Sequence, residues 1–135
     1  MNKVIYTSPR TYEKYDNKHY IVYLNEEIIP NYVPETYEQE DPLEPITAYA
    51  YTGKEKDGGT LIEVTSTDRN SLINGIIRSY YTQSEEDAIK THQIELLKGN
   101  ANDKAAEYEI EWLDFNTVRS IAKTTVDKWL NNNYY

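Results

Sequence analysis

The chain has 135 residues, of which 39% are hydrophobic and 27% charged, with a formal net charge of −9 and no cysteine. That is enough chain for one domain with a small core. The missing cysteines exclude disulfides, thiolate metal sites and cysteine nucleophiles, and the acidic excess disfavours direct contact with a nucleic-acid phosphate backbone.

No apolar run reaches the ~20 residues of a membrane helix, and the opening MNKVIYTSPR lacks the apolar stretch of a secretory signal. Synthesis in the cytoplasm without membrane contact is therefore expected. Lys3–Thr7 is a short β-prone run closed by Ser8-Pro9, since proline offers no amide donor to a ladder. Asp16-Asn17 marks a turn, and His19–Ile29 follows as a β-branched and aromatic strand that Pro30 is expected to end. Residues 30–45 then read as an extended, polyproline-like loop with four prolines and five acids. A loop of that length is usually functional, or it is a solvated linker crossing one end of a sheet.

Ile46–Thr52 alternates, with Ile46, Ala48 and Ala50 on one face and Thr47, Tyr49 and Tyr51 on the other. The polar stretch Gly53–Gly59 reads as a turn, and Thr60–Thr65 as the returning arm of a hairpin. Thr67–Ser71 is dense in capping residues, and Leu72, Ile73, Ile76, Ile77 and Tyr80 recur at helical spacing over Ser71–Tyr81. Gly75 in that helix costs about 1 kcal/mol relative to alanine, which close packing against Ala48 and Ala50 would offset. Ser84–Asp87 reads as a capping box for a second helix, with Ala88, Ile89, His92, Leu96 and the neighbouring Ile94 and Leu97 toward the core; Gly99-Asn100 stops it. A third helix is expected from about Lys104 to Leu130, with Tyr108, Trp112, Phe115, Ile121 or Ala122, Val126 and Trp129 as its apolar stripe. The fold class that follows is α+β: a meander of about four antiparallel strands, then three helices packed on one face. It forms one domain, 1–135, with a β-rich half to residue 66 and a helical half from residue 67.

Charge is unevenly placed. Residues 21–52 hold seven acids (Glu26, Glu27, Glu35, Glu38, Glu40, Asp41 and Glu44) and no base. Tyrosine is the compositional oddity, 14 residues against one Phe and two Trp. A phenol ring buries apolar area while its hydroxyl stays wet, so the tyrosines either replace Phe in a thin core or line a protein interface.

Chemistry-bearing patterns are sparse. His19 lies on a strand and His92 on a helix, and neither has a ligand at metal spacing or a convincing local partner for nucleophilic catalysis. The clustered acids are explained by a strand end, a solvated loop and a helix cap. Gly58-Gly59 precedes a strand rather than a helix, so it does not cradle phosphate. No cofactor and no metal are expected, and the reading is non-enzymatic.

The stretch Tyr49–Ile62, the opening Tyr6–Tyr15, the helix Leu72–Tyr81 with the following Ser84-Glu-Glu-Asp-Ala, and Glu111-Trp-Leu-Asp-Phe together resemble small uncharacterised proteins of tailed bacteriophages and prophages of gut Bacteroidales. The resemblance spans most of the chain; the acidic 30–45 segment departs from it. It implies a structural or assembly protein of the virion (tail, fibre attachment or capsid), located in the virion or in host cytoplasm during assembly, in contact with other virion proteins and able to form a homo-oligomer. It brings no catalytic residues. Residues expected at protein contacts are Tyr49 and Tyr51 on the sheet, Tyr32, Tyr37, Glu38, Glu40 and Asp41 in the loop, and Trp129, Tyr134 and Tyr135 at the C-terminal end. The alternative is a small acidic inhibitor, or nucleic-acid mimic, that binds a basic host protein.

Overall fold

The computed structural model describes residues 1–34 and 44–131. It is an α+β protein with two compact units, Met1–Glu63 and Val64 onward.

The first unit holds six strands: β1 (Asn2–Tyr6), β2 (Tyr12–Lys14), β3 (His19–Val22), β4 (Glu27–Tyr32), β5 (Ile46–Gly53) and β6 (Thr60–Glu63). They form two antiparallel three-stranded sheets, ordered β1-β5-β4 and β2-β3-β6. The expected single meander is therefore incorrect in two places. The run His19–Ile29 is not one strand. It leaves the second sheet at Val22, turns through Asn25 in the left-handed region (φ 57), and enters the first sheet at Glu27. Asparagine tolerates that conformation better than most side chains. Nor are β5 and β6 the arms of one hairpin, because β5 pairs with β1 and β4 while β6 pairs with β3. The chain switches sheet at both bends, and period-2 alternation cannot distinguish a switch from a continuation.

Pro30 does not end its strand. It lies inside β4, an edge strand, where three steps along β4 (Ile29 to Tyr32) face two along β5 (Ala48 to Ile46). The extra residue is a bulge, with Asn31 at φ 56. An edge and a bulge are both places where a strand proline leaves no donor missing.

The segment between β5 and β6 is geometry, as expected of a glycine-rich turn. Gly58 adopts φ 84, the Glu55 amide donates to Gly59 O at 3.0 Å, and the Gly59 amide donates to Asp57 Oδ1 at 3.0 Å. At Gly53 a side chain would collide with the Gly59 backbone.

The second unit consists of α1 (Arg69–Tyr80), α2 (Gln83–Leu97), a 3-10 turn (Asn102–Lys104) and α3 (Ala105–Asn131). Asp68 caps α1, accepting from the Ser71 amide. The cap of α2 is Thr82 and not Ser84: its hydroxyl accepts from the Glu85 amide at 3.1 Å, so the capping box is Thr82-Gln-Ser-Glu85. Gly99 (φ 75) ends α2, with the Gly99 and Asn100 amides closing on Leu96 O and Glu95 O. The periodicity of α2 was read too broadly. Ile89 is buried, but Ala88, Ile94 and Leu97 are exposed. On α3 the stripe runs through Phe115, Ala122, Val126 and Trp129, so Ala122 and not Ile121 faces inward. Phe115 is fully excluded from solvent, with Tyr81 edge-on to it at 5.3 Å.

Three side-chain brackets tie these helices together. Arg78 of α1 pairs with Glu86 of α2, which also accepts from Lys90 at 2.6 Å. Arg69 of α1 donates from Nε to Asp127 of α3 at 2.6 Å. His92 of α2 lies 2.7 Å from Glu111 of α3 and stacks on Tyr108 with ring centroids 4.2 Å apart. Burial pushes against the Glu86 charge, but hydrogen bonds from Lys90 and Arg78 outweigh it and hold the carboxyl below its ordinary range.

Candidate functional site

Several polar side chains of the β unit converge around Arg10. This residue follows Pro9 in the link between β1 and β2. Tyr6 comes from the end of β1, Tyr23 from the bend after β3, Tyr51 from β5, and Asp57 from the turn before β6. Tyr23 and Tyr51 are 2% and 1% exposed. The three rings meet edge-on or tilted, with centroids 5.9 Å (Tyr6–Tyr23), 6.1 Å (Tyr6–Tyr51) and 5.7 Å (Tyr23–Tyr51) apart. Such geometry sets the positive ring edge on the negative face. Ile21 completes this cluster, and Tyr49 and Leu61 pack on its margin, so side chains of both sheets share it.

The Arg10 guanidinium carbon stands 4.7 Å from the centroids of both Tyr6 and Tyr23, a double cation–π contact. Its Nη2 donates to Glu13 Oε1 at 2.8 Å and to the Tyr23 hydroxyl at 2.9 Å. All three hydroxyls are engaged. Tyr23 donates to Asp57 Oδ2 at 2.8 Å, Tyr6 donates to the Asp57 carbonyl at 2.5 Å, and Tyr51 accepts from the Arg10 amide at 2.9 Å and donates to Glu26 Oε2 at 2.7 Å. Burial, reinforced by its hydrogen bond to Asp57, pushes the Tyr23 phenol up to about 12; burial and then Asp57 raise Tyr6 as well. A phenol held protonated in this way serves as a hydrogen-bond donor at neutral pH, not as a base or nucleophile. The cluster bolts the β1–β2 link to the β5–β6 turn.

The expected interface tyrosines fall on both sides of this division. Tyr51 is not a surface residue: it is core, and its hydroxyl is committed to Glu26 and Arg10. Tyr49 is half-buried and lies across the first sheet from Ile28 and Tyr6. Tyr32 is half-buried at the end of β4, opposite Ile46. Trp129 is 5% exposed, on the inward side of α3, and offers no face to a partner. Tyr37, Glu38, Glu40, Asp41, Tyr134 and Tyr135 lie outside the described residues. Ala48, Ala50 and Gly75 are all buried.

Both histidines do have carboxylate partners, which sequence reasoning missed. His19 Nδ1 is 2.9 Å from Asp16 Oδ1, and the same oxygen accepts from the Lys18 and His19 amides at 2.8 Å. The Lys18 amide foremost, then the His19 ring and amide, hold the Asp16 carboxyl low, and these bonds make it the closure of the β2–β3 turn. His92 finds Glu111 on another helix, a partner that local spacing cannot reveal. The Arg10 cluster was missed for the same reason: Tyr6, Arg10, Tyr23, Tyr51 and Asp57 come from separate segments of the chain.

Among the described residues no helix is long and apolar enough to cross a membrane, and no group of three or more His, Asp or Glu could hold a metal ion. No family model matches the chain, and comparison with curated proteins and with solved structures likewise finds no match.

Proposed function

We propose that the protein acts without catalysis, through protein–protein contacts made by an acidic and partly apolar surface that begins on β4, toward a partner that presents basic charge. One observation carries this reading. Ile28 and Val33 are 56% and 48% exposed, on and just after an edge strand within the stretch 21–52, which holds seven acids and no base. Exposed apolar groups provide contact area, and the acids of the same stretch of sequence select the sign of the partner and speed its approach.

The local structure supports contact by side chains over strand addition. Pro30 and the bulge at Asn31 interrupt the outer ladder of β4, a device that discourages pairing with a further strand. Two of the acids are already held in place: Glu26 by the Tyr51 hydroxyl, and Glu27 by Lys3 at 2.7 Å. The resemblance to proteins of tailed phages supplies the setting, a tail, fibre-attachment or capsid-associated component in the virion or in host cytoplasm during assembly. Immunoblots of purified particles, with affinity capture of tail and fibre proteins, test it. Presence in particles or capture of a virion protein is expected; failure of both refutes the virion setting.

The same acidic surface also favours a second reading, inhibition of a basic DNA-binding protein. That reading predicts capture that duplex DNA competes away, and that weakens with salt and with amide substitution of Glu38, Glu40 and Asp41. Binding indifferent to DNA refutes it.

A further inference from the structure

The outward side of α3 carries Ile110, Leu113, Thr117, Ile121 and Thr124, all exposed, with the three aliphatic residues at 61%, 65% and 58%. At 3.6 residues per turn this stripe lies opposite the buried Phe115, Ala122, Val126 and Trp129. No charged residue lies within it, although the exposed Asp114, seven residues before Ile121, borders it. The Thr117 hydroxyl donates back to the Leu113 carbonyl at 2.9 Å, so the group left for contact is its methyl. An aliphatic row of this kind along an otherwise polar helix is an interaction surface unless something covers it.

The row has a symmetry of its own. From Ile110 to Thr124 its steps are three, four, four and three residues, so it reads alike from either end about Thr117. Charge breaks the tie between the two ways of pairing it with itself. Among the exposed side chains, residues 105–116 carry three acids (Glu107, Glu109 and Asp114) and no base, whereas residues 118–131 carry Lys123 and no acid; Glu111 is held by His92, and Arg119 lies over Phe115 on the inward side. Two parallel copies would set acid against acid. Two antiparallel copies set the acidic half of each helix along a half of the other that exposes Lys123 and no acid.

We propose that this stripe is a two-fold, antiparallel contact between two copies of the chain, centred on Thr117, with Leu113 of each copy against Ile121 of the other and Ile110 against Thr124. Such a contact is isologous, the same patch meeting itself, which is the commonest route to a closed dimer. It is separate from the acidic surface of β4, and its failure would leave that proposal standing. A single helix pair lies at the small end of stable interfaces, which bury about 800 Å² per partner, so association is expected to depend visibly on concentration.

The absence of cysteine makes the test direct. In the full-length chain, sedimentation equilibrium over a concentration series should show a monomer–dimer equilibrium, and Leu113→Asp should weaken association at least about tenfold with an unchanged far-UV circular dichroism spectrum. Thr117→Cys places one thiol per chain on the two-fold axis and should give a covalent dimer on mild oxidation. In Ile110→Cys the thiols are separated by fourteen residues' rise, about 21 Å, and should not join. A chain that stays monomeric at all concentrations overturns the proposal, as does a dimer indifferent to Leu113→Asp, or Ile110→Cys crosslinking in preference to Thr117→Cys. Should Leu113→Asp fail to fold, the contrast between the two cysteine variants decides.

Discussion

Replacing Tyr23 by phenylalanine tests the reading of the Arg10 cluster directly. The ring stays, so its edge contacts with Tyr6 and Tyr51 and its face toward Arg10 are kept and no cavity forms. What is lost is one oxygen that donates to Asp57 Oδ2 at 2.8 Å and accepts from Arg10 Nη2 at 2.9 Å. Hydrogen bonds to charged groups contribute about 1.5–3 kcal/mol. Arg10 keeps Glu13, and Asp57 keeps the Gly59 amide on its other oxygen, so a loss of about 2 kcal/mol at pH 7 is expected.

The alkaline limb is more diagnostic. The unfolded phenol titrates near 10.0 and the folded one at about 12. Since the folded value is the raised one, the stability it represents is fully present below pH 10 and is lost as pH rises toward 12. Two pH units correspond to about 3 kcal/mol. The difference between wild type and Tyr23→Phe should therefore fall toward zero between pH 9 and 12, because the variant has no such group. Urea unfolding, followed by near-UV circular dichroism of the tyrosines, measures both limbs. A variant as stable as wild type at pH 7 that also keeps the wild-type alkaline slope would refute the argument.

Three further outcomes follow from the same kind of reasoning. Gly53→Ala should cost about 1–3 kcal/mol in the urea midpoint of the β unit, because the added carbon meets the Gly59 backbone and not a flexible side chain that could move. Glu86→Gln should destabilise the helical unit by about 1–3 kcal/mol at pH 7, since Arg78 and Lys90 lose a charged acceptor. The folded carboxyl of Glu86 is depressed, so this difference should persist above pH 4.5 and close as pH falls through the folded value, which thermal melts at stepped pH would show. Thr82→Ala should cost about 1 kcal/mol by removing the α2 cap, while Ser84→Ala should be nearly neutral; the reverse order would restore Ser84 as the cap.

The helices were more legible than the sheets, and the reason is range. Caps, glycine stops and the three-to-four periodicity are written in neighbouring residues, so α1 and α3 were placed within a few residues of their observed ends. Even there, Thr82 was passed over because Ser84-Glu-Glu-Asp87 also satisfies the pattern, and only the observed bond from Glu85 distinguishes them. Strand partners are not local. His19–Ile29 has the composition of one strand throughout, and nothing in its alternation shows that Asn25 turns it into another sheet. All of Ile21, Val22, Tyr23 and Leu24 are buried, so neither face stands out. The abundance of tyrosine was correctly singled out but its role was split. Tyr6, Tyr23 and Tyr51 form a hydrogen-bonded interior, the place Phe would fill in a drier core, and only part of the set remains near the surface.

The switching of the chain between sheets also sets an order in time. Tyr6 pairs with Tyr49 and Asn2 with Gly53, 43 and 51 residues further along, so β1 stays without its partner until β5 has left the ribosome. The contacts within α1, α2 and α3 are mostly between neighbours in sequence, and such contacts form fast, whereas distant strand pairing waits on loop closure. In a refolding experiment the helical signal should therefore appear first and the tyrosine signal later. During synthesis an exposed β1, with Val4, Ile5 and Tyr6 unpaired, is the segment most in need of protection.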